Sequence, residues 1–294
     1  MRVSINVTNY TWPSGPARLG AELTWLAGAA EQAGVDTVWI ADHLIQADPT
    51  APSGADDMLE AYTTLGFIAA HTERVRIGAM VSNVMLRAPA LLVKAVTTLD
   101  ALTGGRAWLG IGAGHHGGEA EAMGLPFPPI TERFERLEET LRIASRMWAG
   151  DDSPHDGKHY RLARPLGMPA PVRRPRPPIL IGGAGRRRTL RLVAQYADAC
   201  NLFDIPDGGH TVREGLAALA RHCHDLGRPY EDIDKTLSTR LETGESSDAF
   251  IGRCTAAAAL GIEHVVVITP RPWSTDAMTT LANAISALHD VHPG

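Results

Sequence analysis

Asp42 and His43 are adjacent side chains whose types suit acid–base chemistry. They directly follow residues 36–41, an apolar run that predicts a buried strand. An imidazole beside a carboxylate at the end of a strand can act as a general acid or base near neutral pH. The residues alone leave open a second interpretation, in which the aspartate caps a helix and the histidine has no chemical role. We treat both residues as candidate catalytic groups.

A glycine-rich turn forms a second candidate site. Residues 179–181 suit a strand that is buried on both faces, and the apolar spacing after them predicts a helix that begins at Arg186. Between strand and helix, the backbone can approach a ligand closely at Gly182, Gly183 and Gly185. The first amides of a helix favour an anion, so the turn predicts a phosphate-binding site. No Gly-Lys-Ser/Thr sequence makes it a P-loop, and an ordinary turn followed by solvated arginines is the alternative.

Residues 110–124 contain a third cluster of chemically interesting side chains. The spacing G-x-G-x-x-G occurs at Gly112, Gly114 and Gly117. A dinucleotide-binding site would need an acidic residue at the end of a strand about 20 residues later, where a helix is predicted instead, so we reject that interpretation. Potential metal ligands are His115, His116 and Glu119. Two adjacent histidines rarely face one metal ion, and the sequence predicts no metal site.

The elements that must position these residues alternate regularly between strand and helix. Strands are predicted at residues 2–7, 36–41, 75–81, 107–111, 179–181, 198–201, 236–240 and 265–268. Helices are predicted at residues 21–33, 59–72, 89–103, 132–149, 186–197, 212–226, 248–260 and 275–291. This rhythm predicts the α/β class and a (β/α)₈ TIM barrel, with catalytic groups at the carboxyl ends of the strands. Residues 1–294 are predicted to form one domain, and the insertion at residues 150–177, between strands four and five, has the length of a lid.

The composition limits the possible partners. Hydrophobic residues make up 44% of the chain and charged residues 21%, and the net charge of −5 offers no basic excess for nucleic acid. No run of about 18 apolar residues occurs, so no membrane partner is predicted and we expect a cytoplasmic protein. The three cysteines are too far apart for a disulfide framework and are expected to be reduced.

Several motifs together are similar to a known family. Strand two ends in Asp-His, residues 98–114 read TLDALTGGRAWLGIGAG, and residues 177–192 read PPILIGGAGRRRTLRL. These segments resemble the bacterial-luciferase-like superfamily of flavin and deazaflavin barrels. AHTERVRIGAMVSNV at residues 70–84 and RFERLEETLRIASRMWAGD at residues 133–151 are similar to its actinobacterial F420-dependent oxidoreductases. The resemblance covers nearly the whole chain.

The resemblance implies a cofactor and a role for each candidate residue. It implies coenzyme F420, a deazaflavin that transfers a hydride to or from a small organic substrate of the enone, imine or nitro class. His43 would donate or accept the accompanying proton, and Asp42 would position the ring. A non-prolyl cis peptide is implied at Met80–Val81, behind the ring. The implied cofactor-binding residues are Asp42, Met80, Val81, Asn83, Gly114, His115, Gly182, Gly183, Ala184, Gly185 and Arg186.

The chain also departs from the F420-dependent sugar-phosphate dehydrogenases that it resembles. Those enzymes carry a tryptophan four residues after the histidine, where this chain has Ala47, and a glutamate where it has His115. We therefore expect a reductase of another acceptor and not a sugar-phosphate dehydrogenase. His115 and His116 are expected to shape the substrate pocket together with Tyr10 and Trp12, or else to be surface histidines.

Two rival functions and one assembly state complete the sequence-based hypotheses. The first rival is an FMN-dependent luciferase-like monooxygenase, which would use the same phosphate-binding turn. The second is a non-catalytic flavin- or deazaflavin-binding protein. Barrels of the resembled superfamily commonly pair through their second and third helices, so the resemblance also implies a homodimer.

Overall fold

A closed parallel barrel forms the centre of the molecule. The computed structural model describes residues 1–47 and 56–292. Its strands are β1 Arg2–Val7, β2 Thr37–Ile40, β3 Arg76–Ala79, β4 Ser82–Asn83, β5 Ala107–Gly112, β6 His155–Asp156, β7 Arg161–Leu162, β8 Ile179–Gly182, β9 Ala199–Phe203, β10 Asp234–Arg240 and β11 His264–Ile268. All except β6 and β7 lie side by side in one parallel sheet, which closes between β1 and β11 and in which β3 and β4 both pair with β5. Because β3 and β4 together make one barrel strand, the sheet has the eight positions of the predicted (β/α)₈ barrel, and that prediction is confirmed.

Helices surround the barrel in the predicted alternation. In the described part of the chain they are α1 Leu19–Ala33, α2 Ala61–Ala70, α3 Pro89–Leu102, α4 Gly117–Ala122, α5 Ile130–Trp148, α6 Thr189–Tyr196, α7 His210–Leu226, α8 Ser247–Ala258 and α9 Thr275–Leu288. Their ends follow local capping chemistry: Gly34 ends α1 with φ 78°, and Ser246 and Ser274 accept backbone hydrogen bonds at the starts of α8 and α9. Within residues 1–47 and 56–292, none of these helices has the length and apolar character needed to cross a membrane.

The helix after the glycine-rich turn starts later than predicted. It was expected to begin at Arg186 but begins at Thr189, because residues 186–188 form a turn. The amide of Leu190 donates to the carbonyl oxygen of Gly185 at 3.1 Å, which closes that turn before the helix starts. The apolar spacing of the helix was correct, while the arginines before it belong to the loop.

The third barrel strand bends at its carboxyl end. The peptide bond between Met80 and Val81 is cis, as the family resemblance implied. Just before it, the backbone of Ala79 lies so close to Gly110 that a Cβ atom on Gly110 would lie 1.9 Å from the Ala79 carbonyl oxygen. A glycine is therefore required on the neighbouring strand at this level of the barrel.

Large aromatic side chains fill the amino-terminal part of the barrel interior. Trp39 and Trp108 lie with ring centroids 5.6 Å apart, and both are almost completely buried together with Leu180 and Val266. A Cβ atom on Gly78 would lie 2.7 Å from the Trp39 ring, so the glycine makes room for the two indoles. These side chains fill the barrel interior beneath the space at the carboxyl ends of the strands.

The insertion at residues 150–177 contains the antiparallel hairpin of β6 and β7. Glu139 on α5 accepts hydrogen bonds from the backbone of His159 and Tyr160, at 3.0 and 2.9 Å. Asp100, near the end of α3, accepts two more from the backbone of Val172 and Arg173. These contacts tie the insertion to the outside of α5 and to the amino-terminal end of the barrel, and none of its residues lines the space at the carboxyl ends of the strands that a lid would cover.

Candidate active site

A cavity of about 450 Å³ opens at the carboxyl ends of the barrel strands. Nine of the predicted site residues line it: Asp42, His43, Met80, Val81, Asn83, Gly114, His115, Gly182 and Gly183. Ala184, Gly185 and Arg186 do not line it, and Arg186 instead donates to Glu214 on α7 at 2.7 Å. Tyr10 and Trp12, expected at the substrate pocket, are buried in the core between barrel and helices.

Asp42 is held by an arginine that the sequence did not connect with it. Arg87, in the loop before α3, donates to both carboxylate oxygens of Asp42 at 2.5 and 3.0 Å and also contacts Glu60. Burial raises the pKa of Asp42, and the hydrogen bonds and charge of Arg87 oppose that rise. With both oxygens engaged, Asp42 is suited to a fixed, positioning role, which leaves His43 as the group that can move a proton.

His43 is oriented by Glu119, the second partner that the sequence did not reveal. Its Nδ1 lies 3.1 Å from Glu119 Oε2, while the other carboxylate oxygen accepts from the amides of Leu44 and Ile45 at 2.5 and 3.4 Å. Burial acts to raise the pKa of Glu119, but these hydrogen bonds lower it below its ordinary value. An ionised Glu119 requires a proton on His43 Nδ1. The ring therefore presents Nε2 to the cavity, where it has no partner among the described residues.

Two further histidines stand beside His43. The rings of His115 and His116 lie 5.5 and 6.0 Å from the His43 ring, centroid to centroid. His116 caps α4, because its Nδ1 accepts from the amide of Glu119 at 2.8 Å. His115 lines the cavity, and burial together with the neighbouring imidazoles lowers its pKa. His116 is thus structural, whereas His115 faces the space where a substrate would lie.

The opposite side of the cavity is built from backbone. Val81 packs so tightly that a Cβ atom on Gly112 or Gly182 would lie 2.9 or 2.8 Å from it. Gly183 has φ 109°, and beside it Thr189 begins α6 and lines the cavity. The Met80–Val81 bulge thus forms this side of the cavity, and the turn at Gly183 before α6 can meet an anionic group.

Polar side chains of the inner strands cover the bottom of the cavity. Asn201 donates to Ser238 Oγ at 2.9 Å, and both residues line the cavity together with Asn6. The Oδ1 atom of Asn6 is buried and has no partner within the described residues. A buried acceptor of this kind fits a ligand that donates a hydrogen bond at this point. Within the same residues, no group of three or more His, Cys, Asp or Glu side chains has the arrangement of a metal site.

Sequence reasoning missed the roles of Glu119 and Arg87, because those roles depend on distant pairing, and it also missed Asn6 and Asn201. Glu119 meets His43 across 76 residues and Arg87 meets Asp42 across 45. A weak signal existed for Asn6 and Asn201, since each is a polar residue inside an otherwise buried strand. Such a position is unfavourable unless the side chain has a partner or a ligand.

Comparison with known proteins agrees with this architecture. The model of the family described as luciferase-like monooxygenase matches residues 1–261. The F420-dependent glucose-6-phosphate dehydrogenase of Kineococcus radiotolerans is 33% identical over 238 residues, which are 76% of this chain and 64% of that protein. The corresponding protein of Beutenbergia cavernae is 39% identical over 217 residues, 72% of this chain and 61% of that protein. The chain thus matches less than two thirds of the length of these two relatives.

A solved structure extends the comparison to the fold. An F420-dependent secondary alcohol dehydrogenase, in complex with an F420-acetone adduct, superimposes with a TM-score of 0.84 over 98% of this chain and 99% of that one. Its sequence identity of 15% carries information on the fold alone. Since the family model matches residues 1–261, the chain belongs to the luciferase-like monooxygenase family.

Proposed function

We propose that this protein is an F420-dependent oxidoreductase that transfers a hydride between the coenzyme and a small organic substrate. The observation that carries the proposal is the His43–Glu119 pair, which presents a free imidazole nitrogen at the edge of a glycine-lined cavity. The relatives named F420-dependent support the choice of cofactor. An FMN-dependent monooxygenase is the rival, because the family is described as luciferase-like monooxygenase and an FMNH2-dependent dimethylsulfone monooxygenase is among the relatives of this chain.

The residues present fit a deazaflavin with a phosphate. Met80 and Val81 offer a backing for a planar ring, and the absence of side chains on Gly112 and Gly182 makes room for Val81 in that position. Gly183 and the first amides of α6 would hold the phosphate, with Thr189 beside them. Asn6 would accept a hydrogen bond from the ring system through its free Oδ1. Asp42, Asn83 and Gly114 are proposed to contribute further contacts.

The proton in the reaction is assigned to His43. When bound in this cavity, reduced F420 would supply a hydride, which is two electrons and one proton, to the acceptor carbon. His43 Nε2 donates the second proton to the acceptor heteroatom, and Glu119 stabilises the positive charge on the ring before that transfer. Solvent then returns a proton to Nε2. The reverse direction uses the same atoms, with His43 as base.

The first experiment is a fluorescence titration of the protein with F420 and, separately, with FMN. Binding of F420 with FMN ignored, followed by oxidation of reduced F420 in the presence of an enone, imine or nitroarene, supports the proposal. Selective FMN binding with oxygen consumption would establish the monooxygenase instead. Binding of F420 without turnover of any acceptor class would favour a non-catalytic binding protein. Glucose 6-phosphate belongs in the same screen and is expected to be inert, given Ala47 and His115.

We also propose that the protein is a homodimer and that it is located in the cytoplasm. Phe67 on α2 and Leu91 and Leu102 on α3 are 37%, 60% and 77% exposed, an apolar surface that a second copy would cover. Cys200, Cys223 and Cys254 are free and buried, as in a reducing compartment. Light scattering should give twice the mass of the chain, and Leu91→Glu together with Leu102→Glu should reduce it to one copy. A wild-type monomer would contradict the homodimer.

A further inference from the structure

A second cavity, of about 410 Å³, lies outside the candidate active site, between α7 and α8. Its lining shares no residue with the lining of the cavity at the carboxyl ends of the strands. Around the barrel, α6 packs against α7 and α8 packs against α9. Small residues border the gap between these two helix pairs, namely Gly208 and Gly209 before α7 and Ala256 and Ala257 on α8. With so little side-chain volume there, the gap is not filled.

The inner wall of the second cavity is apolar and belongs to the buried core. Leu237 lies on β10, Val265 on β11 and Cys254 on α8, and each is at most 3% exposed. Burial raises the pKa of the Cys254 thiol to about 12, so this side chain is uncharged near neutral pH. At the entrance, Ile205 is 44% exposed. The second cavity therefore extends from an apolar entrance to the outside of the barrel wall, a lining typical of small-molecule sites.

One edge of the second cavity is polar, and the hydrogen-bond donors of its side chains are all occupied. The five N–H groups of Arg253 have five acceptors: both carboxylate oxygens of Glu245, Thr239 Oγ1, Asp204 Oδ2 and the Arg240 carbonyl oxygen. The Thr239 hydroxyl donates to Asp204 Oδ2 at 2.6 Å. Asp204 Oδ1 has no partner among the described residues. These side chains can thus accept a hydrogen bond from a ligand and can donate none.

The charges around the second cavity leave no free cation on its lining. Of the lining residues, only Asp204 and Arg253 are charged, and they pair with each other at 3.4 Å. Just outside the lining, Glu245 and Asp207 are acidic and Arg213 is basic. An ionised ligand would lose its hydration against apolar walls, and no unpaired opposite charge on the lining would offset that cost. The second cavity is therefore suited to an uncharged ligand.

The volume of the second cavity restricts its occupant to a small molecule. A helix with its side chains is about 10–12 Å across, so a piece of helix that filled this volume would be no longer than about one turn. The volume is instead within the usual range for small-molecule sites. In the order of the barrel strands, α7 and α8 lie opposite α2 and α3, which carry the proposed dimer surface. A second copy bound there would leave the entrance of the second cavity open.

We propose that the second cavity binds an uncharged, mainly apolar small molecule that carries one hydrogen-bond donor, a hydroxyl or N–H group. The apolar body lies against Leu237, Cys254 and Val265, and the donor binds Asp204 Oδ1. Binding at this site needs neither F420 nor an acceptor, so it is independent of the proposed function.

The test uses 6-bromo-2-naphthol as a probe, because it is uncharged, carries one donor and contains a bromine atom. Crystals soaked with it should show anomalous scattering from bromine between α7 and α8. In solution, calorimetry should detect a binding event, besides any in the active-site cavity, that Ala256→Trp weakens by about tenfold or more because an indole fills the entrance. Ala259→Trp is the matched control, since Ala259 directly follows α8 and does not line the second cavity. Both alanines are exposed, so both variants are expected to fold.

Two analogues of the probe test the proposed ligand chemistry. Replacing the hydroxyl group by a carboxylate adds a charge, and replacing it by a methoxy group removes the donor. Each analogue should bind wild-type protein about tenfold more weakly than the naphthol, because the first must lose its hydration and the second cannot bind Asp204.

Each part of the proposal can be overturned separately. Bromine found only in the active-site cavity, or nowhere, would overturn the second site, and so would equal affinity in Ala256→Trp and wild-type protein. A bromine peak without a calorimetric event would mean binding at crystal concentration only and would overturn it too. Equal affinity for the carboxylate analogue would overturn the uncharged ligand class, and equal affinity for the methoxy analogue would overturn the contact with Asp204. None of these results would change the outcome of the F420 titration.

Discussion

At the amino-terminal end of the barrel, Arg2 pairs with Asp234 at 2.5 Å and Arg76 with Asp36 at 2.6 Å, while His264 Nε2 lies 2.6 Å from Ser4 Oγ. At the carboxyl-terminal end, His43 and His115 lie beside the cavity with nitrogen atoms that no described residue binds. The two ends use the same kinds of titratable residue. The groups at the amino-terminal end pair with one another, and their unpartnered atoms, Asp234 Oδ1 and His264 Nδ1, are buried, whereas the imidazoles at the carboxyl-terminal end stand beside an open cavity. A charged cluster therefore indicates a ligand site only where its unused bonding capacity lies at a cavity.

Among substitutions at the two ends of the barrel, we expect the largest effect at His43. His43→Ala removes the proton donor, and we expect kcat with reduced F420 and an enone to fall about 10²- to 10⁴-fold, the usual contribution of general acid–base catalysis. Affinity for F420 should change little, because the glycine-lined side of the cavity is intact. Steady-state kinetics and a fluorescence titration measure the two quantities. A variant with wild-type kcat would show that the proton comes from elsewhere.

Replacing Glu119 tests whether the site at the carboxyl ends of the strands depends on one buried charge. Glu119→Gln keeps the shape but loses the negative charge that orients His43, and we expect kcat to fall about 10- to 100-fold, the value of a hydrogen bond to a charged group. KM and F420 affinity should be less affected, because Glu119 does not line the cavity. Glu119→Asp should recover part of kcat. Loss of F420 binding in parallel with kcat would instead mean that Glu119 mainly holds the loop at residues 43–45 in place.

The sequence predicted the local parts of this site and not the pairs across the barrel. The Asp42–His43 pair, the glycine-rich turn at residues 182–185 and each single strand or helix of the eightfold pattern lie within short segments. Their periodicity and residue types can be read directly from the sequence. Glu119 and Arg87 become partners only when the barrel closes, and closure depends on the register of eight strands. The insertion showed the same limit: its length was readable, but the contacts that hold it against α5 and Asp100 were not.

Substitutions at the amino-terminal end of the barrel should change the stability of the protein and not its activity. Asp234→Asn leaves Arg2 and His264 without their carboxylate, and we expect a loss of about 1–3 kcal/mol in unfolding free energy, because Arg2 is partly exposed and its charge is partly solvated. Chemical denaturation measures this loss. The kcat of the folded variant should equal that of wild-type protein, and a strong decrease in kcat would show that the two ends are coupled.

The same carboxylates predict how stability depends on pH. Burial acts to raise the pKa of Asp36 and Asp234, but His264 lowers both, together with Arg76 at Asp36 and Arg2 at Asp234. Since the folded pKa lies below the ordinary value of 3.8, the folded state binds fewer protons than the unfolded state in this range. The stabilisation is complete above that value and is lost as the pH falls through the folded pKa values. Urea midpoints measured below pH 4 should decrease less steeply in Asp234→Asn than in wild-type protein. Parallel decreases would mean that other carboxylates control acid unfolding.

The smallest expected effect concerns a cation that the sequence suggested as a ligand for phosphate. Arg186 is bound to Glu214, both side chains are about half exposed, at 57% and 43%, and Arg186 does not line the cavity. An exposed pair of this kind contributes about 0–1 kcal/mol, so Arg186→Ala should weaken F420 binding by less than about threefold. Gly183→Ala is the matched comparison, because a side chain at φ 109° strains the turn that holds the phosphate in our proposal, and it should weaken binding more. The opposite order would mean that arginine charge, and not backbone geometry, holds the anion, and Arg187 and Arg188 would then be the next residues to replace.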